Sequence, residues 1–291
     1  MKKLPLMCLL VVAAPVLAKE VHEVREVDPK AEISIFNTAG EVKVTGWSRQ
    51  QVAVDADLGS GVKELIFETD GRQVTIKVKA PRHSSRNISS DLNIRVPEGS
   101  SLEISTVSAD VEVSDLRGWQ QLETVSGDIE TALFAADVEI ESVSGDIEAR
   151  GDNKKMRTRA SSVSGNLELQ GLDGELEVET VSGDIVLGDS RFESAEMKTV
   201  NGELVYHAGL YGDSRLEAET VNGEVDIKFA GKVSARFDIE TFNGEIRNCF
   251  GPKPERTSKY APGLELKFSE GEGDGRVSVE TLNGDLRLCR D

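Results

Sequence analysis

Acidic residues stand directly after a glycine, or after the residue in its place, at Asp110, Asp128, Asp146, Asp184, Glu203, Glu224, Glu245 and Asp285, with Asn166 interrupting the series. Carboxylates gathered in one file can hold a divalent cation or a cationic polymer, and carboxylates set in pairs can cleave a glycosidic bond. Calcium wants several oxygens converging at a point, whereas this spacing spreads the acids evenly. A structural role is the simpler reading, with each side chain splayed into solvent or accepting a backbone N–H in its own turn. Weak divalent-cation binding along this hypothetical carboxylate ladder is the alternative.

The residues carry no signature of other chemistry. The three histidines, His22, His83 and His207, have no second His or Cys at metal-ligand spacing, so no metal site and no cofactor is expected. There is no C-x-x-C, H-E-x-x-H, G-x-S-x-G or P-loop pattern. Gly271-Glu272-Gly273-Asp274-Gly275 precedes strand-like sequence rather than a helix, so it reads as a turn. Asp55-Ala56-Asp57 opens like a calcium loop but has Ser60 at position six and Ile66 at position twelve. Arg150-Gly151-Asp152 reads as a turn after a strand rather than as a cell-attachment tripeptide. Lys154, Lys155, Arg157 and Arg159 form the only basic cluster.

The elements that carry the acids repeat. Thr124-Val125-Ser126-Gly127-Asp128-Ile129 returns with small changes at Ser142–Ile147, Ser162–Leu167 and Thr180–Ile185. It then recurs with Asn for Ser at Thr199–Leu204, Thr220–Val225, Thr241–Ile246 and Thr281–Leu286, and a degenerate first copy begins at Thr106. The glycine position falls at 109, 127, 145, 165, 183, 202, 223, 244 and 284, in steps of 18 to 21 residues except for a final step of 40. Flanks such as Leu176-Glu177-Val178-Glu179-Thr180 alternate with period two, the mark of half-buried strands. Inward positions are even before Gly183 and odd after it, so the chain turns there, and glycine is expected because a turn calls for φ > 0.

Two architectures fit: a parallel β-solenoid of about nine coils, or a series of antiparallel hairpins with Ser-Gly and Asn-Gly turns. The solenoid is preferred because the Ser copies and the Asn copies each run together along the chain, and coils about 4.8 Å apart would turn them into side-chain ladders. Cys249 and Cys289 each lie five residues after a marker glycine. In stacked copies their Cα atoms approach to about 4.8 Å, which predicts a disulfide. Gly251-Pro252-Lys253-Pro254 and Ala261-Pro262-Gly263 place a loop excursion at 248–263, followed by a strand over Leu264–Phe268. Residues 19–100 hold strand-like runs, with a diverged tenth copy at Asn37–Val42, and are expected to cap the open end of the solenoid at 101–291.

Lys2 and Lys3, the apolar run Leu4–Leu17 and the small residue Ala18 predict a signal peptide over 1–18, cleaved near Ala18, and hence a periplasmic or secreted product. No later stretch has the roughly 20 apolar residues that span a bilayer, so no integral membrane segment is expected in the mature chain. The 291 residues hold 52 acids against 34 bases, a formal charge of -18 that argues against nucleic acid as a partner.

The Thr-Val-Ser-Gly-Asp-Ile and Thr-Val-Asn-Gly-Glu motifs, with Val96-Pro97-Glu98-Gly99-Ser100-Ser101-Leu102-Glu103-Ile104 and Gly46-Trp47, resemble the bacterial exported β-strand-repeat domain of unknown function often labelled "putative adhesin". The resemblance covers nearly the whole mature chain and implies an all-β, solenoid-like exported protein, with no agreed catalytic residues to carry over. The function expected is a non-catalytic scaffold of the cell envelope that contacts an envelope protein or polymer through regular β faces. The alternative, a polysaccharide-active β-helix lyase or hydrolase, would gather its acids and bases in one groove. These acids are spread along a repeat, and aromatic platforms for sugar are few: Trp47, Trp119, Tyr206, Tyr211 and Tyr260.

Overall fold

The computed structural model describes residues 19–81, 86–258, 260 and 262–290. The expected signal peptide lies outside them. The described residues form twenty-three strands and no helix, so none of them builds a helix long and apolar enough to cross a membrane.

Parallel pairing decides between the two architectures. Val138–Ser144 lies parallel to Gln120–Ser126 on one side and to Lys155–Ser164 on the other, with Ser144 opposite both Ser126 and Ser164. Residues after the glycine pair in the same sense: Ile147 is opposite Ile129 and Leu167. Each repeat therefore supplies one strand before the glycine and one after it, and copies stack on copies. Hairpins at the glycine would have given antiparallel pairs. The fold is all-β and β-solenoid-like.

Alternation fixes which side chains fill the interior. Leu176, Val178 and Thr180 before Gly183, and Ile185 and Leu187 after it, are all buried, and their counterparts repeat along the stack. Aliphatic side chains make up most of the core. Toward the C-terminal end Phe192, Tyr206, Phe229 and Phe237 join it, with ring centroids about 6 Å apart between neighbours. The repeated Thr or Ser three places before the glycine is also buried, and several of its hydroxyls donate to a glycine carbonyl of the adjoining copy, as Thr199 does to Gly183 at 3.2 Å and Thr241 to Gly284 at 3.0 Å.

The glycines are there for a reason other than the expected one. Gly127, Gly145, Gly165 and Gly183 do not have positive φ. A Cβ on any of them would lie 2.0–2.3 Å from the carbonyl oxygen of the marker residue in the copy below, so close backbone approach excludes a side chain.

Copies do not stack in chain order throughout. Gly275–Asn283 runs between Leu204–Asn222 and Ala235–Asn243, with Asn283 opposite both Asn222 and Asn243. The coil of Gly284 is thus inserted between those of Gly223 and Gly244. Leu264–Glu270 then lies antiparallel on the outer edge of Ala235–Asn243. Cys249 and Cys289 are bonded across this arrangement, with Cα atoms 4.9 Å apart. At the other end Glu32–Trp47 is a single strand carrying the diverged copy, with Gly40 opposite Ala109 and parallel to Ser101–Ser114. Gln73–Lys79 and Ser90–Pro97 pair in parallel with its other edge. Beyond them Glu64–Asp70, Gln51–Leu58 and Lys19–Glu26 pair in antiparallel sense.

Candidate functional site

Backbone hydrogen bonds bring the post-glycine acids into one file. Val111 N–H donates to the Asp128 carbonyl, Ile129 to Asp146, Ile147 to Asn166, Leu167 to Asp184, Ile185 to Glu203, Leu204 to Glu224, Val225 to Asp285 and Leu286 to Glu245. The eight predicted acids therefore stand in the spatial order 110, 128, 146, 184, 203, 224, 285, 245, with Asn166 between 146 and 184.

The Asp side chains in this file are occupied. Asp110 Oδ1 accepts the backbone N–H of Asp128 at 3.0 Å, Asp128 that of Asp146 at 2.9 Å, and Asp146 that of Asn166 at 2.7 Å. Asn166 Oδ1 accepts from Asp184 at 3.0 Å, Asp184 from Glu203 at 2.7 Å, and Asp285 from Glu245 at 2.9 Å. The bonded N–H belongs to the adjoining coil, not to the acid's own turn as expected. Asn166 ceases to be an interruption, because only an acceptor oxygen is required. The longer Glu side chains make no such bond, and Glu203 carries the electrostatic consequence: burial first, then the charges of Asp184, Glu224 and Asp226, hold its carboxyl above the ordinary range. Among the described residues no cluster of His, Cys, Asp or Glu is arranged to hold a metal ion.

Next to this file the residue before the glycine forms its own ladder. Asn222 Nδ2 donates to Asn201 Oδ1, and Asn283 to Asn222, each at 2.9 Å, while Asn243 donates to Asn283 at 2.8 Å. This confirms the stacking read from the Ser and Asn blocks.

The residue before that was overlooked in the sequence. Val107, Val125, Val143, Val163, Val181, Val200, Val221, Leu282 and Phe242 form, in spatial order, an exposed apolar column, with Val125 49% and Phe242 48% exposed. Parity carries its signal, since Thr180 inward leaves Val181 outward. Two residues further back, on the same outward side, runs Ser105, Glu123, Glu141, Ser161, Glu179, Lys198, Glu219, Glu280 and Glu240, as the strand registers require. Both columns, the apolar one from Val125 onward, line a groove of about 950 Å³ along the stack, with Thr257 and Gly263 of the excursion at one end.

Charges elsewhere on the surface are largely matched between coils. Arg159 lies between Glu139 and Glu177, at 3.7 and 2.7 Å, and Arg157 meets Glu175 at 2.9 Å. Lys155 pairs with Glu193 and Lys154 with Asp152, so the basic cluster is neutralised within the protein. Arg150 of the Arg-Gly-Asp triplet pairs with Glu130 and Glu148. In the groove, by contrast, Glu141, Glu179 and Glu280 have no ion pair among the described residues. Burial, with the nearby Glu217 and Glu280 adding to it, raises the Glu219 carboxyl against the opposing pull of Lys198.

Comparison with known proteins places the fold. A solved structure from Parabacteroides distasonis, named "Putative lipid binding protein", shares 15% identity over 94% of this chain and 98% of its own, with a TM-score of 0.52. A "putative adhesin" from Bacteroides fragilis shares 12% identity over 93% of this chain and 97% of its own, with a TM-score of 0.48. Among curated proteins none matches this chain. The pattern of the Toastrack DUF4097 family, whose function is unknown, matches residues 30–288, and with the stacked repeat on the page the chain belongs to that family.

Proposed function

We propose that the protein is a non-catalytic exported scaffold of the bacterial cell envelope: nine coils with an N-terminal β cap, holding a protein or polymer partner along its regular outward faces. One observation carries this reading. The same side-chain types recur at a constant step of about 4.8 Å along one side of the stack, and a surface of that kind suits an elongated partner.

A photo-crosslinking residue placed at Val181 in cells, followed by identification of the captured species, tests the proposal. Recurrent capture of one envelope component at Val181, and not from a position on the opposite face, supports it. Release of products from purified acidic or neutral polysaccharides would instead make the protein an enzyme. Export is tested by sequencing the mature N-terminus, which should begin at Lys19. The carboxylate file serves the stack first. Calcium added to the chelated protein shows whether it also takes a divalent cation, since binding would raise the Tm.

A further inference from the structure

Outward positions on a solvated strand are ordinarily polar, yet here one outward position is apolar in each of the nine coils. At about 4.8 Å per coil the column runs on the order of 38 Å, longer and more continuous than the scattered apolar side chains of an ordinary surface. One bank of the groove is acidic, with Lys198 its only base, and several of its carboxylates lack a counter-ion. The other bank is the apolar column itself, with the Thr and Ser row between the two.

The backbone decides what form a partner can take. Through the middle of the stack every strand beneath the groove is paired on both sides, so an extended peptide finds no free edge to join. A partner must bring its own satisfied backbone, an apolar stripe, and positive charge along one flank. An amphipathic α-helix meets all three conditions, and about seven turns of it match the length of the column. Anionic lipid would meet the acidic bank with like charge.

On the scaffold reading above, we propose that the Val125 to Phe242 groove is the docking site for a cationic amphipathic helix of a partner protein. The apolar stripe lies on the valine column, and Lys or Arg side chains reach the row containing Glu141 and Glu179.

The test is fluorescence anisotropy of the purified protein with a labelled 18-residue Leu/Lys peptide in helical amphipathic order. The same composition in strict alternation and a Leu/Glu helix serve as controls. Binding is expected for the helical Leu/Lys peptide at least tenfold tighter than for either control. The combined variant Val163→Thr, Val181→Thr, Val200→Thr keeps shape and charge and should weaken it tenfold or more. Glu141→Gln with Glu179→Gln should weaken it severalfold and flatten its salt dependence. Glu68→Gln with Glu272→Gln, an equal charge change away from the groove, should alter it less than twofold. Binding that ignores the valines, or equal loss from all charge variants, reduces the effect to bulk attraction by an acidic protein and overturns the proposal. Displacement of a C16 fatty-acid probe without peptide binding overturns it in favour of an acyl chain. Crosslinked partner capture that survives the triple valine variant removes the groove while leaving the scaffold standing, whereas loss of all partner capture in the unmodified protein removes both.

Discussion

At the scale of single residues, an acceptor oxygen and a missing Cβ help to hold coil on coil. Asp128→Asn retains the acceptor for the Asp146 N–H and should leave the Tm nearly unchanged, whereas Asp128→Ala removes it and should cost about 1 kcal/mol in chemical denaturation. Gly165→Ala drives a methyl group to 2.0 Å from the Gly145 carbonyl oxygen and should cost about 3 kcal/mol or more, read as a lowered denaturation midpoint. Glu203 works in the opposite direction. Its carboxyl binds its proton more tightly in the folded protein, so its contribution is fully favourable below the unfolded pKa of about 4.3 and is lost as pH rises through the higher folded value. Glu203→Gln should therefore raise the Tm at pH 7, with the difference closing near pH 4. Asp55 has the reverse sign, since the hydrogen bond from His22 and then Arg95 hold its carboxyl low, and its contribution fades as the solution is acidified. Asp128, Gly165 and Glu203 were visible as repeat positions in the sequence, whereas Asp55 was not. The contacts of Asp128 and Gly165 were not, because they reach a coil some twenty residues away.

At the scale of elements, the disulfide is the clearest case of spacing read correctly. Two cysteines at the same offset from their glycines must meet if the copies stack, and they do. Which side of the Gly244 coil the last coil would take was not legible, because equal offsets demand adjacency and are silent about order. The 40-residue step marks the place where chain order and spatial order part. Cys249→Ser with Cys289→Ser opens a closed loop of that length and should cost up to about 4 kcal/mol on a chain-entropy estimate. The loss should fall first on the inserted strands, so hydrogen exchange is expected to quicken in 275–290 before it does in 120–200. The valine column gives a complementary lesson. Alternation made it readable, but strand patterns draw the eye to apolar residues as core, and an outward valine hides among inward ones.

At the scale of the whole molecule, the middle coils are interchangeable and the ends are not. Antiparallel strands finish both ends, Lys19–Glu26 beyond Gln51–Leu58 at one and Leu264–Glu270 at the other. Between them each coil sees only its neighbours, as in other repeat arrays. Deleting Asp128–Gly145 rejoins Gly127 to Asp146 and keeps the motif intact. The shortened chain should fold as a monomer with the disulfide formed, checked by circular dichroism and light scattering, with its groove about 4.8 Å shorter. Removing 264–291 should instead bare the edge of Leu204–Asn222 and produce aggregates.

The inserted last coil also bears on how such a chain can change in length over generations. A copy added after the final one would have no edge to extend, because the final copy is already enclosed between two others. New coils are most simply gained by duplication inside the array, where like is set beside like. The run of Ser copies followed by the run of Asn copies agrees with such interior growth. The protein is in this sense a ruler with both ends fixed, whose graduations are gained or lost at its centre.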